Sequence, residues 1–250
     1  GLENGKDGLL LVDRVCDNYE KWIEEQSSVS VGIRFDEAKE QNLTQCRMTL
    51  SRIRTGLEYL RDPTNSLALR AFQLANHAIL LQQIATSRDT REYDFDVTSK
   101  DYVYLTEYKD NDTEEVPPGR GNWRPFQIAF LVMALSSIAE GDDEWREAVE
   151  LIWFPTGGGK TEAYLAAASF SMFLRRLKNN DDVGTEVIMR YTLRLLTAQQ
   201  FQRATALICA MEYLRDQHEE QLGTEEFSIG IWLGSSFTPN FRNKSSPMSP

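Results

Sequence analysis

Pro155-Thr156-Gly157-Gly158-Gly159-Lys160-Thr161 stands between an apolar run and an alanine-rich helical pattern, and few structures accommodate it. Consecutive glycines let a backbone turn sharply and aim successive N–H groups at one point. A helix starting directly after them adds its dipole to that cradle. The run before the loop, Val149-Glu150-Leu151-Ile152-Trp153-Phe154, reads as an apolar strand, and Thr161 to Leu177 reads as a helix. Strand, glycine loop and helix in that order predict a phosphate-binding loop. Thr156, Gly157, Gly158 and Gly159 would hold phosphates, Lys160 would reach the β/γ-phosphates, and the Thr161 hydroxyl would coordinate Mg²⁺. ATP with Mg²⁺ is therefore the expected ligand, with Glu162 beside it and with Lys160 and Thr161 as the catalytic pair. The general spacing G-x-x-x-x-G-K-[ST] asks for glycine at 154, where this sequence has Phe154.

The chain before the loop is mostly helical in pattern. Leu43, Cys46, Leu50, Ile53, Leu57 and Leu60 step by three and four, one stripe down a helix that Asp62-Pro63 stops. Val12, Cys16, Tyr19 and Ile23 mark a helix before it, and a third helix, about Ser66 to Ile84, is apolar enough to be buried. Tyr102-Val103-Tyr104-Leu105 reads as a short strand, and Asp110 to Glu115 as an acidic linker ending in Pro117-Pro118-Gly119. A helix from Arg124 to Ile138 and an acidic helical stretch from Asp142 to Ala148 lead to the loop. After it come a strand from Glu186 to Leu195, a helix from Thr197 to Gln217 and a strand from Phe227 to Leu233. Strands alternating with helices predict an α/β fold, a parallel sheet with helices on both faces. The boundary is expected near Gly119, giving a mainly helical domain over 1–118 and a nucleotide-binding domain over 119–250.

Charge and cysteine usage narrow the function. Of 250 residues, 27 are Lys or Arg and 38 Asp or Glu, a net charge of −11. Both parts are acidic: 15 basic and 22 acidic residues over 1–120, 12 and 16 over 121–250. A broad basic surface for nucleic acid is thereby excluded, and any such contact is local. Three separated cysteines and two histidines supply neither a disulfide framework nor a zinc site. No apolar run approaches the roughly 18 residues a membrane helix needs. A cytoplasmic protein without membrane contact is expected.

The segment Thr156 to Glu162 resembles motif I of superfamily 2 helicases, and two flanking segments extend the resemblance. Arg124-Pro125-Phe126-Gln127 is similar to the element preceding motif I, whose glutamine reads the adenine edge, so the resemblance gives that role to Gln127. Arg194-Leu195-Leu196-Thr197-Ala198-Gln199 is similar to motif Ia, which implies DNA-backbone contacts for Arg194, Thr197 and Gln199. The Pro-Thr usual before that arginine is Thr192-Leu193 here. Together with Phe72-Gln73-Leu74-Ala75-Asn76, Trp123 to Phe130, Ile152 to Leu165 and Arg190 to Arg194, the pattern over about 66–240 looks like the helicase subunit of the DISARM phage-defence system. That resemblance implies an ATP-dependent DNA translocase with a partial RecA-like lobe. Its partners would be DNA (single-stranded or a duplex end), a second DISARM subunit and the rest of the helicase polypeptide. After Thr161 no expected strand ends in the Asp-Glu pair a hydrolysing motor needs. The chain therefore reads as the front part of a longer polypeptide, inactive by itself. A nucleotide-gated scaffold and a P-loop kinase are the other readings of the same loop.

Overall fold

A computed structural model describes residues 6–86, 91–107, 116, 118–153, 158–190 and 194–232, with only the backbone for 6, 7 and 194–197. Helices dominate: α1 Lys6–Ser28, α2 Asp36–Arg61, α3 Ser66–Ala85, α4 Pro125–Ala139, α5 Lys160–Lys178, α6 Arg194–Gln217 and the short α7 Glu219–Leu222. One hairpin, β1 Tyr93–Asp96 with β2 Asp101–Tyr104, lies between α3 and α4.

The helix bounds follow local chemistry. Asp36 and Glu37 sit in the first turn of α2, where carboxylates complement the helix dipole. The same helix ends at Arg61 because Pro63 follows, and Asp62 then caps the next turn by accepting from Thr64 N at 2.8 Å. Bonds from the Thr64 hydroxyl and N–H hold the Asp62 carboxyl below its ordinary pKa. Pro125 opens α4 at its first position, where the missing N–H would have had no helical partner.

The apolar stripes close a single core. Helix α3 packs on α5 and α6, α2 packs on α1 and α4, and α4 meets α5. Phe72, Leu74, Leu57, Leu60, Leu131, Leu135, Phe170, Phe173, Leu207 and Met211 are fully buried within it. Helix α3 is apolar on nearly every side, as its sequence predicts, and lies centrally for that reason. Gly56 lets α2 approach α4 closely: a Cβ there would stand 2.0 Å from the Val132 carbonyl oxygen. Cys16 is a core residue whose thiol burial pushes up, and Cys46 packs against the same core.

The sheet is where the structure departs from the sequence reading. The parallel sheet with helices on both faces, and with it the α/β class and the RecA-like lobe, is absent from the described residues. The only sheet there is the antiparallel pair β1–β2. Residues 149–153, 186–190 and 227–232, all expected as strands, have no regular secondary structure. A strand is held by ladder hydrogen bonds to a neighbour, and an apolar run without one has no reason to form it. Val149, Leu151 and Trp153 are accordingly 96%, 79% and 86% exposed. The acidic stretch 142–148 is a series of turns rather than a helix, tied back by Arg146 Nη1 to the Ser137 and Ile138 carbonyls at 2.8 and 2.9 Å. No helix among the described residues is long and apolar enough to cross a membrane.

Candidate functional site

The site gathers residues from the middle of α3, the starts of α4 and α5, and the first turns of α6. Helix α3 supplies Asn76, a buried polar residue on an apolar helix, whose Nδ2 donates to Phe72 O at 2.7 Å. Its Oδ1 then accepts from Trp123 Nε1 at 2.7 Å, which seats Trp123 against the bundle. Arg124 and Pro125 follow directly, so the entry of α4 is fixed on α3.

From that entry two side chains reach the glycine loop. Arg124 Nη1 donates to Gly158 O at 2.8 Å, and Gln127 Nε2 donates to Gly159 O at 2.7 Å. Gln127 is buried, and its Oε1 accepts from Arg124 N at 2.8 Å, so both ends of the amide are engaged. In a trans peptide the carbonyl and the following N–H point in opposite directions. Pinning the Gly158 and Gly159 carbonyls toward α4 therefore turns the N–H groups of Gly159 and Lys160 to the other side. Gly159 caps α5 with φ +83°, a left-handed conformation, and a Cβ there would lie 2.6 Å from Gln127 Nε2. Only glycine fits both demands.

Helix α6 closes the far side. Thr161 is buried at the start of α5, and its Oγ1 donates to Gln200 Oε1 at 3.3 Å. Tyr164 Oη lies 3.1 Å from Thr161 Oγ1 and 3.2 Å from Gln200 Oε1, so one phenolic proton is shared between two acceptors. Glu162 forms an ion pair with Arg203, and its other carboxylate oxygen is buried without a hydrogen-bond partner among the described residues. Burial, and then the positive charge of Arg120, lower the Arg203 pKa.

Of the expected site residues, Gln127, Gly158, Gly159, Lys160, Thr161 and Glu162 are brought together at this point. Thr156 and Gly157 lie outside the described residues. Arg194 and Thr197 fall in the first turn of α6, described by backbone alone, and Gln199 is exposed on the same helix. Tyr164, Gln200, Arg203 and Asn76 belong to the site, although the sequence gives none of them a site role. Tyr164 carries a local signal, being one helical turn after Thr161, and Asn76 is conspicuous as a polar residue in an apolar helix. Gln200 and Arg203 reach the loop only through the packing of α6.

Among the described residues no group of three or more His, Cys, Asp or Glu is placed to hold a metal ion. No family model matches the chain. Over 235 residues, 92% of its length, it is 36% identical to DISARM protein DrmA of Bacillus paralicheniformis. That alignment covers 19% of the DrmA chain, so the present chain spans about a fifth of the relative it matches. The match is longer than the stretch 66–240 that carries the motif resemblance, so the N-terminal helices share in it. By sequence, this chain is related to a DISARM protein along nearly its whole length.

Proposed function

We propose that this chain is a nucleotide-binding segment of an anti-phage defence protein that hydrolyses ATP in the cytoplasm while engaging DNA. The observation that supports it is the pair of pinned carbonyls at Gly158 and Gly159, which turns two backbone donors at the N-terminus of α5 toward one side. A phosphate chain fits such an arrangement of a left-handed glycine, a helix N-terminus and Lys160. On this reading Gly159 and Lys160 hold phosphate through their N–H groups, and the Lys160 ammonium balances the charge that grows during phosphoryl transfer. Mg²⁺, when bound with ATP, would neutralise the β- and γ-phosphate oxygens. Thr161 would offer it an oxygen lone pair, and the shared Tyr164 proton can settle on Gln200 to leave that lone pair open. Gln127 acts here by setting the loop; reading adenine would require it to release Gly159.

Arg194, Thr197 and Gln199 are assigned to DNA-backbone contact, on the helix whose Gln200 and Arg203 touch Thr161 and Glu162. Other DISARM subunits and the remainder of a longer polypeptide are the proposed partners. ATP turnover by the full-length protein carrying this segment, measured with and without DNA, tests the reading. Arg194→Ala is expected to leave nucleotide binding intact and to abolish most of the DNA stimulation. ATP binding without any turnover would instead identify a nucleotide-gated scaffold. Turnover indifferent to DNA would point to another P-loop enzyme such as a kinase.

A further inference from the structure

The β1–β2 hairpin pairs Tyr93 with Tyr104 and Phe95 with Tyr102, which places four aromatic rings on one face. The alternate positions put Asp94, Asp96, Asp101 and Val103 on the other face. Seven of the eight strand residues are exposed, Tyr102 by 60%. The rings meet edge to face: Tyr93 and Tyr102 centroids are 5.4 Å apart, Phe95 and Tyr102 5.3 Å. Such cross-strand pairs stabilise a hairpin that would otherwise be marginal in water. They also leave a contiguous aromatic surface open to solvent, the kind of surface that marks an interaction site.

Charge selects the partner. From Arg91 to Glu107 two basic residues stand among five acidic ones, Glu92, Asp94, Asp96, Asp101 and Glu107. Hydrogen bonds from Thr98 N and the Ser99 hydroxyl hold the Asp96 carboxyl below its ordinary pKa, so that charge persists. Surfaces that stack nucleic-acid bases set their aromatics in a positive groove, the opposite of this arrangement. Rings on a hairpin whose reverse face is acidic suit cations instead, and one guanidinium already uses them: Arg91 sits 4.0 Å above the Tyr104 ring. We infer that this hairpin is a docking surface for a basic, extended segment of a protein partner. That segment would lay arginine side chains across the four rings, drawn there by the negative field of the carboxylates on the reverse face.

The experiment is fluorescence anisotropy with the whole chain and three labelled probes. These are a twelve-residue peptide alternating Arg and Val, its Glu-for-Arg counterpart, and a single-stranded oligonucleotide. The arginine peptide is expected to bind and the other two not. Tyr93→Ser with Tyr102→Ser, which changes no charge, should weaken that binding about tenfold. Because losing two rings also loosens the hairpin, Asp94→Lys with Asp101→Lys serves as a second variant that retains every ring; severalfold weaker binding is expected there. Tyr102→Phe should bind as the parent does. Equal binding of the arginine peptide to the parent and both double variants would overturn the assignment. So would its failure to bind the parent, or oligonucleotide binding lost in the serine variant.

Discussion

Gly159 concentrates the chemistry of the site in one residue. Its left-handed φ lets α5 begin directly after the loop, and the absence of a Cβ lets Gln127 reach the carbonyl behind it. Gly159→Ala meets a left-handed penalty of about 1–2 kcal/mol, and its methyl would displace the Gln127 amide. The expected outcome is ATP affinity lowered at least tenfold with a melting point down by a few degrees, read by titration and thermal denaturation. Wild-type affinity in that variant would show that the loop does not need the Gln127 tie. Much of this was legible beforehand, because Gly158, Gly159, Lys160 and Thr161 are neighbours in sequence and their chemistry follows from order alone. Gln200 and Arg203 were not, since nothing local in α6 says which of its faces meets Thr161 and Glu162. The role of Gln127 was only half legible: its place beside the loop follows from the motif, while both of its hydrogen bonds depend on a fold.

At the scale of elements, helices were read well and strands poorly, for one physical reason. A helix satisfies its backbone within itself, so stripes such as Leu50, Ile53, Leu57 and Leu60 suffice to place it, and α2 appears where they run. A strand satisfies its backbone on a neighbour, and an apolar run such as 149–153 says nothing about whether that neighbour is present. The one strand read correctly, at Tyr102 to Tyr104, finds its partner four residues upstream across a tight turn. Close packing between elements is also testable. The Gly56 contact leaves no room for a side chain, so Gly56→Ala must push α2 from α4. Overpacking of this kind typically destabilises by about 1–3 kcal/mol, and the near-contact with a backbone carbonyl puts this position at the upper end. Chemical denaturation should show a lower midpoint with an unchanged slope; an unchanged midpoint would mean that the two helices do not meet as described.

Across the described residues one core joins helices from both sides of Gly119, and the glycine loop is mounted on it through Asn76, Trp123 and Arg124. The loop is thus held by a helix bundle among the described residues, with no paired sheet beneath it. The net charge of −11 opposes general affinity for DNA, and on the proposed reading it leaves nucleotide binding dependent on a few local donors and on Lys160. That dependence makes one titration decisive. Mg²⁺·ATP titrated calorimetrically into the chain and into its Lys160→Ala variant, both with their melting points checked, should give saturable binding to the first. Binding to the second should be at least tenfold weaker, about 1.4 kcal/mol or more, at an unchanged melting point. Equal affinity in the two would contradict the assignment of this loop as a nucleotide site.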